Sequence, residues 1–169
     1  FDGANVTGYG NAVEVYGGVE VYHVYNNWIY QIYDTGITHQ FSYDESIERN
    51  IMADIEYNDN LIEYCFWSIE YYNSTGGAGT GFVHPGETFK HPRHVYVHDN
   101  FCRFGGEGWG CKGRESGAPM YCIASKPDKT ENYVTENNIF DRCLGYLVST
   151  YGENMAGIYV FRSNTYVQP

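Results

Sequence analysis

Two glutamates occupy matching places in two short segments of alternating apolar and polar residues. Glu14 lies in "AVEVY" (12–16) and Glu70 lies in "SIEYY" (68–72). Successive side chains of a β-strand point to opposite faces, so each glutamate is expected on the face opposite its apolar neighbours. If the two segments are parallel strands of one sheet with a third strand between them, they lie about 9.6 Å apart, twice the spacing between neighbouring strands. An inverting glycosidase places its acid and its base about 6.5–9.5 Å apart.

The same glutamates also have a simpler interpretation, as two solvated side chains on the surface of an acidic protein. For Glu14 and Glu70 to act as base and acid, one of them must stay protonated near neutral pH. That requires partial burial or a nearby like charge. The sequence leaves both interpretations open.

Three more polar side chains are expected on the same face. Thr38 and Gln40 alternate with apolar residues in "GITHQF" (36–41), and Tyr72 follows Glu70 by two residues. The alternation places Thr38 between the two glutamates. These three residues are therefore predicted to line a substrate-binding surface around the carboxylates.

Two Gly-rich insertions flank this face, at 73–93 and at 105–118. Long loops on a regular scaffold commonly carry function. The second insertion holds Glu107 and Trp109, which are predicted to contact substrate and to supply a second carboxylate and an apolar wall beside the catalytic pair. A flat indole suits stacking on a sugar ring, and folding of the ring over the sheet edge is the alternative.

Histidines and cysteines form no recognisable metal motif. His94 and His98 are four residues apart on one expected strand, so they share a face but lie about 13 Å apart, too far to bind one ion. HxH, HExxH and CxxC patterns are all missing from the sequence. No cofactor is expected. Ca²⁺ on the acidic surface is the one metal left open, and no D-x-D-x-D-G loop supports it.

Charge and hydropathy exclude several classes of partner. The net charge is −11, which disfavours nucleic acid and anionic membranes. No apolar run approaches the roughly 20 residues of a membrane helix, so membrane insertion is not expected. The chain begins at Phe1 without Met, as a mature or trimmed piece would, so the missing signal peptide is compatible with a secreted or cell-surface protein. Only ten Lys and Arg are present, which favours hydrolysis or binding over a lyase mechanism that needs a basic residue.

An asparagine-centred phrase recurs along the whole chain. A strand-like segment ends, an Asn follows, and an apolar residue comes two places later. The asparagines are Asn27, Asn60, Asn100, Asn138 (or Asn137) and Asn164, at intervals of 33, 40, 38 and 26 residues. A variable interval with a constant phrase is typical of a β-solenoid, whose loops absorb insertions. The asparagines are predicted to stack in one ladder and to adopt the partly left-handed backbone that a bend needs.

Each turn of this solenoid contains three short strands. The strand before each Asn is "VYHVY", "ADIEY", "HVYVH", "NYVTE" or "IYVFR", and the strand after it is "WIYQI", "LIEYC", "FCRF", "IFDRC" or "TYV". The first strand of each turn is "AVEVY", "GITHQF", "SIEYY", "MYCIA" or "YLVST". Cys65 and Cys143 each follow their Asn by five residues, which places them two turns apart. At about 9.6 Å they are too distant for a disulfide.

Segments such as "HVYVHDNFC" (94–102) and "DNLIEYCFWSIEYYN" (59–73) resemble right-handed parallel β-helix proteins of the pectate-lyase-like superfamily. The resemblance covers nearly the whole chain. It implies an all-β, right-handed single-stranded parallel β-helix of about five turns over residues 1–169 as one domain. It also implies an active site on the outer face of the first-strand sheet. Neither end shows a capping element, so the remainder of a longer β-helix, or a partner, is expected to cover an end.

The superfamily includes polysaccharide lyases, glycoside hydrolases, esterases, phage tailspikes and non-catalytic adhesins, and a fold does not choose among them. The sequence therefore predicts an extracellular protein that binds or hydrolyses a polysaccharide, with Glu14 and Glu70 as the catalytic pair. The alternative is a non-catalytic structural or carbohydrate-binding β-helix, and the second alternative is a polysaccharide lyase.

Overall fold

The computed structural model describes residues 10–16, 19–42, 52–74, 93–111, 114, 117–124, 131–152 and 159–168. Within these ranges the regular elements are fifteen strands and one turn of 3-10 helix at Trp109–Cys111. Most of the predicted insertion at 73–93 lies outside the described residues.

The strands form three sheets of five strands each. Sheet A contains β1 (Val13–Tyr16), β4 (Thr35–Ser42), β7 (Trp67–Ser74), β10 (Ala118–Ala124) and β13 (Val148–Gly152). Sheet B contains β2 (Val19–Tyr25), β5 (Met52–Asn58), β8 (Arg93–His98), β11 (Glu131–Glu136) and β14 (Tyr159–Arg162). Sheet C contains β3 (Trp28–Tyr30), β6 (Leu61–Glu63), β9 (Phe101–Gly105), β12 (Ile139–Cys143) and β15 (Thr165–Val167).

Every strand pairs in parallel with its equivalents in the neighbouring turns. Three consecutive strands, one from each sheet, make one turn, and we number the turns 1 to 5 along the chain. The prediction of a right-handed parallel β-helix with three strands in each of about five turns is confirmed. Equivalent residues of successive turns therefore form rows that run along the axis of the helix, about 4.8 Å apart.

The five asparagines form a continuous ladder between sheets B and C. The backbone N–H and the side-chain Nδ2 of each asparagine both donate to Oδ1 of the next, at 2.9–3.1 Å. The fourth member is Asn138 rather than Asn137. Asn60, Asn100 and Asn138 are buried, so the ladder lies inside the bend.

The left-handed backbone lies one residue earlier than the sequence analysis expected. The residue before each ladder asparagine has a positive φ: Asn26 (56°), Asp59 (55°), Asp99 (53°), Asn137 (56°) and Ser163 (55°). Asn and Asp adopt this conformation more readily than most residues. The chain bends from sheet B into sheet C at that position, and the following asparagine turns its side chain into the stack.

The interior of the helix is filled by apolar rows, with one histidine among them. His39 is fully buried, its ring stacks on Tyr71 with centroids 4.9 Å apart, and its Nδ1 shares a 3.0 Å hydrogen bond with the Tyr57 hydroxyl. Burial lowers the pKa of His39 to about 3. The ring is therefore neutral at physiological pH and serves as part of the aromatic core.

Cys65 and Cys143 are buried free thiols, as predicted. Cys143 pairs with Gly105, and Gly106, the next residue, donates its N–H to the carbonyl of Cys65, so the two cysteines belong to turns 2 and 4. Burial raises the pKa of Cys65 to about 12 and raises that of Cys143 as well. Both side chains act as small core residues.

We predict that Asn100→Ala costs roughly 1–3 kcal/mol of unfolding free energy, because it leaves the buried N–H and Nδ2 of Asn60 without their acceptor. Urea denaturation measures this. Asn27→Ala is the matched control, since Asn27 is exposed and accepts no bond from another ladder asparagine in the described turns. Equal costs for the two variants would contradict the ladder.

Candidate functional site

Strand pairing brings the predicted carboxylates into one row of sheet A. Glu14 pairs with Thr38, and Thr38 pairs with Glu70, in turns 1, 2 and 3. The row thus contains the three residues in the order that the sequence predicted. Glu14 is exposed, as expected for a side chain on the outer face.

Glu70 and Thr38 are buried, and here the expectation of an open face is wrong. Glu70 is only 4% exposed and Thr38 is 0% exposed. The hydroxyl groups of Thr38 and Thr35 donate to Oε2 of Glu70 at 2.9 and 3.3 Å. The neighbouring strand β4 therefore packs two threonines onto the carboxyl group, which restricts the access of a polymer to it.

The environment of Glu70 favours its protonated form. Its pKa rises from the ordinary 4.5 to about 7, chiefly because burial disfavours the charge, and the negative charges of Asp34 and Glu14 add to the rise. The hydrogen bonds from Thr38 and Thr35 oppose it. Glu70 thus has the titration of a general acid without the exposure of one.

Arg114 anchors the 105–118 insertion to the corner between sheets C and A. Its guanidinium donates to Asp34 Oδ1 at 2.7 Å and to the Tyr33 carbonyl at 2.8 Å. The same group lies 3.5 Å above the Phe66 ring. Gly108 lies so close to the corner that a Cβ would fall 1.9 Å from the carbonyl oxygen of Tyr64. The described residues of the insertion therefore form a strap that packs on turns 1 and 2.

Glu107 and Trp109 do not act on Glu70 in the way that the sequence suggested. Glu107 is exposed. The pKa of Arg142 is raised, chiefly by its hydrogen bond to Asp141 and in part by the negative charge of Glu107. Trp109 is 62% exposed and donates its backbone N–H to Gln31 Oε1. The strap directs Glu107 toward turn 4, whereas the carboxylates that act on Glu70 are on turns 1 and 2.

Gln40 and Tyr72, the two remaining predicted substrate residues, lie side by side in neighbouring strands of sheet A. Gln40 is half-buried in β4, in register with Tyr72 of β7. The side chain of Tyr72 lies outside the described part of the structure. Among the predicted residues of sheet A whose side chains are described, Glu14 is the exposed one.

Sequence reasoning missed an exposed tryptophan on the outer face of sheet C. Trp28 is 71% exposed, and its indole N–H donates to Glu63 Oε2 at 2.8 Å. Glu63 is 5% exposed and accepts a 2.6 Å hydrogen bond from Arg103 Nε. We call these three residues the Trp28 platform. The alternation in "WIY" contained the signal, because Ile29 in the core places Trp28 and Tyr30 on the outside.

Aromatic side chains continue from the Trp28 platform along the corner of sheet C. Tyr30 lies 6.0 Å from Trp28 and 5.6 Å from Tyr64, and Tyr64 stacks on Phe104 at 4.5 Å, each measured between ring centroids. The Arg142 guanidinium lies 4.5 Å above Phe104. These rings pack against one another, and this fixes their orientations.

The outer face of sheet B carries a network of histidines and carboxylates. Glu56 contacts His23 at 3.6 Å and His98 at 2.8 Å, and His98 also contacts Asp99 at 2.7 Å. Burial alone would lower the pKa of His98, but the bonds to Asp99 and Glu56 outweigh it and raise the pKa. Both ring nitrogens are occupied by carboxylates. No three metal-ligating side chains are grouped into an ion site among the described residues.

Comparisons with known proteins add no family. Neither a scan against protein-family models nor searches of curated proteins and of solved structures gave a match. Over the described ranges, no helix has the length and hydrophobicity needed to cross a bilayer.

We predict that Glu70→Gln removes a pH dependence of stability. A carboxyl group whose folded-state pKa is near 7 binds more protons in the native state than in the unfolded state between pH 4.5 and 7. The parent therefore loses up to about 3 kcal/mol as the pH rises through this window, and the variant does not. Urea denaturation at pH 5 and pH 8 measures the difference, with the exposed Glu14→Gln as the control. Parallel pH profiles for parent and Glu70→Gln would contradict the assignment.

Proposed function

We propose that the protein is an extracellular, polysaccharide-binding parallel β-helix that holds a neutral or weakly charged glycan on the outer face of sheet C. The observation that carries the proposal is the exposure of Trp28 together with the hydrogen bond that fixes its ring. Exposed aromatic side chains are informative where they form one patch, and Trp28 (71% exposed) lies 6.0 Å from Tyr30 (50% exposed) between ring centroids. Because the hydrogen bond to Glu63 already orients the Trp28 ring, ligand binding costs little further entropy to hold the ring in place.

The charged groups support a neutral ligand. Each arginine whose side chain is described is already paired with a carboxylate: Arg103 with Glu63, Arg114 with Asp34, Arg142 with Asp141 and Arg162 with Glu136. A lyase acting on uronates needs a basic residue and a cation for the substrate carboxylate. With these four arginines occupied and a net charge of −11, a neutral glycan is the better fit.

Membership in the pectate-lyase-like superfamily is part of the proposal. Its support is the fold, in which three strands per turn build three parallel sheets. Extracellular localisation rests on the same resemblance. Binding of a glycan through the Trp28 platform requires no cofactor.

Glycoside hydrolysis is a second candidate, because Glu70 titrates near neutral pH beside other carboxylates. In that mechanism Glu70 donates its proton to the leaving oxygen, and Glu14 activates water. Two turns separate them, about 9.6 Å between strands. The burial of Glu70 weighs against this candidate, because the leaving oxygen must come within hydrogen-bond distance of the carboxyl group.

We predict that Trp28→Ala weakens binding of soluble β-glucan or xylan about tenfold, the scale of a central interface aromatic residue. Isothermal titration calorimetry with β-glucan, xylan and pectin measures it. Tyr146→Ala is the control, since Tyr146 is also 71% exposed but lies away from the platform. Unchanged affinity in Trp28→Ala would contradict the proposed site.

A reducing-end assay on the same three polysaccharides separates binding from hydrolysis. We expect no new reducing ends from the parent protein, because Glu70 is sealed by Thr35 and Thr38. Cleavage by the parent that disappears in Glu70→Gln, with glycan binding intact, would establish the hydrolase instead.

A further inference from the structure

The outer face of sheet C carries an apolar row that runs along the axis of the helix. Strand register aligns Trp28 with Leu61, Leu61 with Phe101, and Phe101 with Ile139, in turns 1 to 4. Trp28 is 71% exposed and Ile139 is 39% exposed, while Leu61 and Phe101 are half-buried. We call these four residues the apolar stripe. It spans about 14 Å, with one side chain for every 4.8 Å.

Polar rows border the apolar stripe on both sides. On one side are the left-handed corner residues, whose side chains are exposed: Asn26, Asp59, Asp99, Asn137 and Ser163. On the other side is the row of Tyr30, Glu63, Arg103 and Asp141. A ligand lying along the stripe therefore meets apolar groups beneath it and the exposed corner residues at one edge. At the other edge it meets Tyr30 and Arg103, since Glu63 and Asp141 are buried.

We propose that the ligand is an extended, neutral β-1,4-linked glycan that lies along the apolar stripe, parallel to the axis of the helix. This inference rests on the proposed function and adds the linkage class and the direction of the chain. An extended β-1,4 chain is a flat ribbon. Its ring faces expose C–H groups, and its equatorial hydroxyl groups project from the two edges. That distribution matches an apolar stripe between two polar rows.

The period of the helix supports the same linkage. One sugar ring of an extended β-1,4 chain advances by a distance close to the spacing between turns, so successive rings meet successive members of the apolar stripe. A chain with α-1,4 links curves away from a straight row and keeps contact with only part of it. The stripe therefore accommodates about four rings, with Trp28 holding the first.

The flanking charges refine the ligand further. Arg103 is held by Glu63, and its guanidinium lies 5.1 Å from the centre of the Phe101 ring. Asp141 accepts two hydrogen bonds from Arg142. These paired groups still have donors and acceptors for hydroxyl groups, but they offer no uncompensated positive charge for a uronate. A neutral glucan or xylan chain is the ligand that this surface fits.

The test is the dependence of affinity on chain length. Calorimetry with cellobiose, cellotriose, cellotetraose and cellohexaose should show affinity rising about threefold or more per ring up to the tetraose, and then levelling. Maltotetraose should bind at least tenfold more weakly than cellotetraose. Equal affinity for the two tetraoses, or no gain beyond the disaccharide, would overturn the inference.

A variant at the far end of the apolar stripe gives a second readout. Ile139→Lys should remove the gain between triose and tetraose, whereas Tyr146→Lys, off the stripe, should leave the whole series unchanged. A tetraose gain that survives in Ile139→Lys would refute the direction of the chain. If Trp28→Ala weakens binding about tenfold while affinity is independent of chain length, the binding function stands and the linkage assignment fails. If Trp28→Ala has no effect, the proposed function fails first.

Discussion

The bend between sheets B and C is held by buried asparagine amides, and the remaining structure follows from it. Each asparagine donates two hydrogen bonds to the side-chain oxygen of the next, so the register of one turn is transferred to the following turn. A slip by one residue would exchange the inner and outer faces of a strand. A slip that brings Leu61, Phe101 or Ile139 to the ladder position would also leave a buried amide without an acceptor. The ladder therefore enforces one register over intervals that range from 26 to 40 residues.

Fixed register converts the sequence into rows, and the three outer faces have distinct chemistry as a result. Sheet A carries a carboxyl row in which Glu70 is sealed by threonines. Sheet B carries paired histidines and carboxylates. Sheet C carries the Trp28 platform and the apolar stripe. The faces differ in which groups a ligand can reach. In sheet A the Glu70 carboxyl group is bonded to threonines of the same sheet, and in sheet B the histidines are bonded to nearby carboxylates. In sheet C the Trp28 ring is exposed.

Local patterns in the sequence were sufficient for the fold. Strict alternation of apolar and polar residues and the repeated asparagine predicted the strands, the ladder and the row that joins Glu14, Thr38 and Glu70. These features depend on neighbouring residues and on a constant spacing between turns. The predicted position of the left-handed residue was wrong by one residue. The side chain that stacks and the backbone with positive φ belong to adjacent residues.

Burial at the candidate site was beyond the reach of these patterns. Glu70 is covered by residues 32 and 35 positions away, and Arg114 reaches Asp34 across 80 positions. Alternation places Thr38 beside Glu70, but it does not encode how deeply the carboxyl group is buried or how the strap that carries Arg114 folds back. Trp28 was missed for a different reason. Functional residues were expected in the Gly-rich loops, which contain Trp109, whereas Trp28 lies within a regular strand.

Side-chain amide exchange measured by NMR tests the central claim most directly. The account predicts that the Nδ2 protons of Asn60, Asn100 and Asn138 exchange slowly with solvent, as expected of buried, doubly bonded amides. Asn58 is half-buried, and its side-chain amide donates to its neighbour Asp59, so its Nδ2 protons should exchange much faster. Equally fast exchange at all four residues would show that no buried ladder exists and would contradict the register from which the platform and the stripe were derived.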